Sequence, residues 1–281
     1  MENEEWKMEN FPSEFCVLNS PLSIVHFRAA RILMKAMVLA AGQGTRLRPI
    51  TDGKPKALVP VAGRPMIEYA LLLLRYYGIC EIVINLHHFG GQIESHLGNG
   101  NKLGLQISYS NEAELLDTGG GLRKARAFLQ DGTFIVINTD ALIDVNLAEI
   151  IDFHKHRQAT ATLVLRPDQQ ADQYGSMDVD GTGRIYRFLK TKIDLKLTAP
   201  TRKLMFTGVQ ILEPKVFDYM ESHSAGEKFS TTRQTYPQML LAGEPLYGFC
   251  FEGFWQDLGT AERIAQAERS LAQGQARLHY L

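Results

Sequence analysis

Lys35-Ala36-Met37-Val38-Leu39-Ala40-Ala41-Gly42-Gln43-Gly44-Thr45-Arg46 runs from an apolar strand straight into a glycine-rich loop. Small residues at the end of a strand let backbone amides approach a ligand's phosphates without side-chain obstruction. Two familiar phosphate-binding loops fail on spacing. A P-loop would end in Gly-Lys-Ser/Thr, and the dinucleotide fingerprint would need a third glycine where Leu47 stands. What remains is a phosphate cradle of another kind or a tight structural turn, and Thr45-Arg46 and Pro55-Lys56 favour the cradle by adding a hydroxyl and two cations to the same long loop. Two cations on one loop suit a triphosphate, although singly each also suits a surface position.

Downstream, apolar periodicity alternates between strand and helix. The pattern predicts a helix over Met66 to Tyr77 stopped by Gly78, a strand over Glu81 to Leu86, and a short helix over Gln92 to Leu97. It continues with a strand Leu105 to Tyr109, a helix Leu122 to Leu129, a strand Phe134 to Asn138, a helix Leu147 to His156 and a strand Thr160 to Leu165. Such alternation implies an α/β fold, Rossmann-like, with a mostly parallel mixed sheet flanked by helices. Beyond it the texture changes to short strands. Gly175 to Val179 and Arg184 to Leu189 read as a hairpin about the turn Asp180 to Gly183, and Leu204 to Leu212 as a further strand. This forms a small β subregion, and Ala261 to Leu271 closes the chain as a helix. The leucines Leu71 to Leu74, with Tyr76 and Tyr77, are assigned to the core.

Residues 1–33, acidic from Glu2 to Glu5 and without a defensible period, are set apart as an extension, either a misassigned start or a flexible arm. Residues 34–281 are expected to form one domain. A chain of 281 residues with 45% hydrophobic content can bury a substantial core. Its formal charge of -1 gives no global field for nucleic acid, so phosphate binding must be local. Three scattered cysteines suggest neither disulfides nor zinc ligands. No apolar run approaches the ~20 residues that cross a bilayer, and no signal peptide opens the chain. No membrane partner is therefore expected, the location is expected to be cytoplasmic, and the subunit state is open between monomer and homo-oligomer.

Two further features carry chemistry. Phe134 to Asp140 delivers an acid at the carboxyl end of a strand, the edge where open α/β sheets bind ligands, although such an aspartate also serves as a cap or turn residue. Asn111-Glu112 and the loop Leu116-Asp117-Thr118-Gly119-Gly120-Gly121 follow another strand. Their backbone could meet a base edge, and Thr118 could cap a helix from Leu122. His87-His88 and His154-x-His156 lack metal spacing and read as surface residues. No nucleophile elbow or activated cysteine occurs.

The opening motif, with Pro55-Lys56 and Pro60-Val61, closely resembles that of the sugar-phosphate nucleotidyltransferases, the NDP-sugar pyrophosphorylases. Trp255-Gln256-Asp257-Leu258-Gly259-Thr260 resembles their closing Trp-x-Asp-x-Gly-Thr, and the likeness runs from Lys35 to about Leu271. It implies that Ala40, Ala41, Gly42, Gly44, Thr45 and Arg46 bind the nucleotide, with Glu112, Thr118, Gly119 and Gly120 at the base. Arg46 would hold the leaving pyrophosphate, Lys56 would meet the reacting phosphates, and Asp140 and Asp257 would share Mg2+. Arg46, Lys56 and Asp140 are thus the catalytic candidates. Tyr174, Gly175, Lys190, Thr207 and Gly208 would meet the sugar phosphate together with Lys56.

This chain departs from the family at Ala57, where proline is usual, and at Thr139, where a glycine is common and the larger residue is expected to crowd the site slightly. It departs again at Leu189-Lys190-Thr191, which lacks a glutamate before the lysine. With residues 258–281 alone following Asp257, an added β-helix domain and a second activity are not expected. The compact form resembles mannose-1-phosphate guanylyltransferases and N-acetylmuramate-1-phosphate uridylyltransferases. The expected substrates are a nucleoside triphosphate and a sugar 1-phosphate, with GTP and mannose 1-phosphate as the leading pair. The alternatives are a UTP- or dTTP-dependent enzyme and, from another class, a non-catalytic nucleotide-sugar sensor on the same fold. Cytidylyltransferases and molybdenum-cofactor guanylyltransferases share a similar opening loop, but the closing motif argues for sugar 1-phosphates.

Overall fold

The computed structural model describes residues 34–168, 176–193 and 201–281. The expected extension and the sugar-side pair Tyr174 and Gly175 lie outside the described residues. Strand β1 (Lys35–Leu39) is followed by a small ribbon, β2 (Pro60–Val61) and β3 (Arg64–Pro65), then α1 (Met66–Tyr76), β4 (Glu81–Leu86), α2 (Gly90–Leu97) and β5 (Gln106–Asn111). Next come α3 (Asp117–Lys124), α4 (Arg126–Leu129), β6 (Phe134–Asn138), β7 (Ala141–Ile143), α5 (Leu147–His156) and β8 (Ala161–Arg166). The described chain continues with β9 (Ser176–Val179), β10 (Ile185–Phe188), β11 (Thr191–Lys192) and β12 (Arg202–Leu212). It ends with α6 (Tyr236–Leu241), β13 (Leu246–Cys250), β14 (Trp255–Asp257) and α7 (Ala261–Ala272).

Strands β6, β1, β4 and β5 lie side by side and parallel. Their apolar runs are continuous because both faces are covered. Val38, Ile82, Ile84, Ile135 and Ile137 pack in one layer with α1, α2, α5 and α7, while Met37, Val83, Phe134 and Val136 pack in the other with α3, α4 and α6. Leu71 to Leu74 are buried as expected, but Tyr76 at the end of α1 is 53% exposed.

Strand β12 runs antiparallel to β6 over Val209 to Leu212 and to β9 over Arg202 to Met205. Its other edge pairs with β8, and the register shifts between Phe206 and Gln210. The sheet therefore divides at one strand, and the division opens beside the end of β6. No helix among the described residues is long and apolar enough to cross a membrane.

Two sequence expectations need correction, and three short strands were not foreseen. The glycine run is not a loop: α3 begins at Asp117 and takes Gly119, Gly120 and Gly121 into its first turns, without a side-chain cap from Thr118. His154 is not at the surface but 2% exposed, placed between Thr162 and the carboxylate of Glu213. Short strands β7, β13 and β14 have no clear period in the sequence, and β7 and β14 turn out to be decisive for the site.

Candidate active site

The loop after β1 is shaped by two polar side chains beneath it. The Ala40 amide donates to Asn85 Oδ1 at 2.9 Å, and the Thr51 hydroxyl donates to the Gly44 carbonyl at 2.9 Å. Gly44 has φ 65°, and a Cβ there would stand 2.9 Å from Lys56 Cβ, so both the backbone conformation and the close approach require glycine. Ala40 and Ala41 are buried beneath the loop, while Gly42, Thr45 and Arg46 face solvent. The loop is thus braced from below and open above.

Lys56 is 9% exposed, and its Nζ ends 2.8 Å from Asp140 Oδ2. A largely buried ammonium needs such a partner. Asp140 follows β6 and leads into β7, which pairs antiparallel with β14 so that Asp257 stands opposite Ala141. The Leu258 amide donates to the Asp140 carbonyl at 2.8 Å. A two-stranded ribbon therefore sets side by side two aspartates more than a hundred residues apart in sequence. Arg263, in the first turn of α7, is ion-paired with Asp257. The Arg46 guanidinium lies against Gly259, where a Cβ would come within 2.9 Å of Nη2. The opening and closing motifs thus meet.

Thr139 does not crowd this centre. It is buried, and its hydroxyl turns back to donate to the Leu39 carbonyl at 2.9 Å. Among the described residues no group of three or more His, Cys, Asp or Glu is assembled as a metal site. The carboxylates of Asp140, just before β7, and of Asp257, at the end of β14, nevertheless fit magnesium, which takes hard oxygen donors and fills its octahedron with substrate phosphates and water. The donor set suits that ion when it is held jointly with a phosphorylated ligand.

Among the residues expected at the base, Glu112 is 5% exposed and both its oxygens are engaged. Oε1 accepts from Asn85 Nδ2 at 2.8 Å and Oε2 from the Leu116 amide at 3.0 Å. Asn85 thereby links the glycine-rich loop to the loop that follows Glu112. It could have been sought as a polar residue near the end of a strand beside β1, but the sequence reading passed over it. The amides of Gly119 and Gly120 donate to the Phe229 carbonyl at 2.9 and 3.2 Å. Both glycines are buried, and Thr118 Oγ1 accepts from the Thr231 amide at 3.0 Å. In this conformation Gly119 and Gly120 pack against the segment at Phe229 instead of presenting donors to a base edge.

Of the residues expected to meet the sugar phosphate, Thr207 and Gly208 lie at the irregularity of β12. The Thr207 hydroxyl donates to the Val164 carbonyl at 2.8 Å, its own carbonyl accepts from Trp255 Nε1 at 3.0 Å, and Gly208 abuts the Asn138 side chain. Lys190 is exposed on the turn after β10. Arg166, which the sequence reading passed over, ends β8 with its guanidinium 5.3 Å from the Trp255 ring centroid and Nη1 donating to the Trp255 carbonyl at 3.3 Å. It stands two residues from Asp257 by way of Trp255. Motif reading alone cannot find such a residue, because β8 carries no conspicuous string.

A cradle beside two strand-end aspartates and a buried lysine, on a doubly covered parallel sheet, defines a nucleotide-handling α/β protein. Residues 35–274 match the nucleotidyl transferase family, to which the chain belongs. It is 34% identical over 252 residues to the UTP–glucose-1-phosphate uridylyltransferase of Synechocystis sp., covering 85% of this chain and 63% of that protein. It is 32% identical over 240 residues to the mannose-1-phosphate guanylyltransferase of Mycobacterium tuberculosis, covering 85% and 65%. It is also 35% identical over 240 residues to the N-acetylmuramate alpha-1-phosphate uridylyltransferase of Neisseria meningitidis, covering 84% and 97%. The chain thus spans a little under two thirds of the first two relatives and nearly all of the third. HddC from Yersinia pseudotuberculosis, crystallised with GMP-PN, shares the fold with a TM-score of 0.67 at 22% identity, covering 85% of this chain and all of that one.

Proposed function

We propose that this protein is a magnesium-dependent sugar-1-phosphate nucleotidyltransferase. The observation that carries the reading is the ribbon that sets Asp257 beside Asp140, next to the buried ammonium of Lys56 and the open glycine loop. In the reaction, an oxygen of the sugar 1-phosphate forms a bond to the α-phosphorus of the triphosphate. The bond from that phosphorus to the β-phosphate oxygen breaks, and its electron pair leaves with pyrophosphate. The attacking phosphate is already ionised near neutral pH, so no side chain must take a proton. Bound magnesium would offset charge on the phosphates from Asp140 and Asp257. Lys56 would face the reacting phosphate and Arg46 the departing pyrophosphate, so that catalysis rests on positioning and charge compensation.

Among acceptors, mannose 1-phosphate with GTP is the pair we propose. A mannose-1-phosphate guanylyltransferase stands among the relatives, and a structural neighbour was crystallised with GMP-PN. A second reading, UTP with N-acetylmuramate 1-phosphate, is favoured by the Neisseria relative, 97% of which this chain covers. Nucleoside triphosphates and phosphorylated sugars make the cytoplasm the proposed place of action.

Pyrophosphate release from each nucleoside triphosphate with a panel of sugar 1-phosphates tests the proposal. Release with GTP and mannose 1-phosphate in magnesium, absent in EDTA, is expected. Release with another pair alone would move the substrate assignment. Silence throughout, with nucleotide-sugar binding retained in calorimetry, would replace the enzyme by a sensor.

A further inference from the structure

Each aspartate of the candidate metal centre has its own cation. Lys56 Nζ lies 2.8 Å from Asp140 Oδ2, and Arg263 Nη1 is ion-paired with Asp257 Oδ2. The Lys56 side chain is 11% exposed and that of Asp257 only 19%, so water compensates these charges incompletely. Arg263 is not a loose surface arginine. It occupies the first turn of α7, its amide faces the Thr260 hydroxyl that caps the helix, and Thr260 closes the motif containing Asp257. The same turn fixes both the acid and its counter-ion.

We infer that Arg263 is the counter-ion that holds Asp257 while nucleotide is absent, so that the free protein takes a divalent cation only weakly. This rests on the proposed function, because it concerns the same metal centre. Two neighbouring carboxylates without counter-charge would repel each other and attract a free divalent ion. With Lys56 and Arg263 in place, that ion must compete with two cations for the charge of the two carboxylates. A triphosphate changes the balance, since its oxygens can receive the displaced ammonium and guanidinium while adding ligands to the metal. Metal and nucleotide then bind with positive coupling, and by reciprocity each raises the other's affinity by the same factor. Arg263 is a positioning residue in this scheme. It governs when Asp257 becomes available and need not touch the reacting atoms.

The test is Mn2+ binding to the intact protein, followed by electron paramagnetic resonance with and without a non-hydrolysable GTP or UTP analogue. Arg263→Met should bind Mn2+ about tenfold or more tightly than the parent without nucleotide, a change on the scale of losing a partly buried counter-ion. Its metal–nucleotide coupling should shrink by the same factor. Arg263→Lys, which keeps the charge, should restore weak binding, and Arg263→Met/Asp257→Asn should lose the gain. Should Arg263→Met fail to fold, as judged by thermal melting, Arg263→Gln takes its place. Equal Mn2+ affinities of the free parent and the charge-removing variant, with nucleotide-dependent binding intact in both, would overturn the inference and leave the proposed function standing. Absence of nucleotide-dependent Mn2+ binding in every variant and in the parent would overturn the metal centre itself.

Discussion

Lys56 shows how a single residue can be readable in type and unreadable in partner. Its position after Pro55 in a long loop marks it as a phosphate-facing cation, yet the sequence does not disclose that its ammonium ends on Asp140, 84 residues away. At Lys56 the pair predicts a separation of function from stability. Lys56→Ala and Asp140→Asn should each lower kcat about a hundredfold or more, the scale of losing one preorganised charge at a reacting centre. Asp140 is 37% exposed in its side chain, so water can compensate the carboxylate when Lys56 is removed and Lys56→Ala should melt within a few degrees of the parent, whereas Asp140→Asn leaves the largely buried ammonium without its counter-charge and should melt lower. A drop in KM-controlled binding alone, with kcat preserved, would remove Lys56 from the reacting phosphates. Thr139 teaches the converse lesson. Its identity suggested crowding, but the hydroxyl finds the Leu39 carbonyl and the side chain is buried away from the centre.

At the scale of elements, long apolar strands were legible and the glycine-rich start of α3 was not. Three consecutive glycines oppose a helix by roughly 1 kcal/mol each relative to alanine, so local propensity reads them as a loop. Tertiary packing overrides that preference. A Cβ on Gly119 would stand 2.4 Å from the Phe229 ring, one on Gly120 2.7 Å from the Glu227 carbonyl, and one on Gly121 2.7 Å from Glu112 Oε1. Three walls press on three successive positions, and only the assembled fold reveals them. Gly119→Ala should therefore destabilise the protein by about 1–3 kcal/mol, the usual cost of overpacking, measured by urea denaturation. Adding Phe229→Leu should recover part of that loss through coupling of the two sites, and strictly additive losses would refute the packing argument. The ribbon of β7 and β14 was equally hidden, because three-residue strands are too short to display a period. The motif named its aspartate, while the register that brings that aspartate to Asp140 is a property of the fold.

For the molecule as a whole, doubly covered parallel strands follow from uninterrupted apolar runs, and the Rossmann-like reading rested on that signal. Polar connections across the interior left no comparable trace. His154 on α5 reaches Thr162 on β8 and Glu213 just beyond β12, and Thr133 before β6 donates to the same carboxylate at 2.7 Å. The hydrogen bond from His154 is the largest influence on Glu213 and holds its carboxyl below the ordinary value of 4.5. Burial opposes that shift, and the Thr133 hydrogen bond reinforces it. A depressed carboxyl stabilises the fold above its unfolded pKa, and that stability is lost as pH falls through the folded value. Glu213→Gln should accordingly melt below the parent at pH 7, with the gap closing under acid conditions below 4.5. A gap independent of pH would show that ionisation plays no part.

Strand β12 has a consequence on a longer timescale. Among the described strands, the β9–β10–β11 unit is laddered to the rest of the sheet through β12, and the irregularity between Phe206 and Gln210 separates that stretch from the one zipped to β6. Mutations accumulating in the hairpin are thus insulated from the register that seats Asp140. Within a lineage the two regions would diverge at different tempos, the hairpin turning over while the strands around Asp140 stay ancestral.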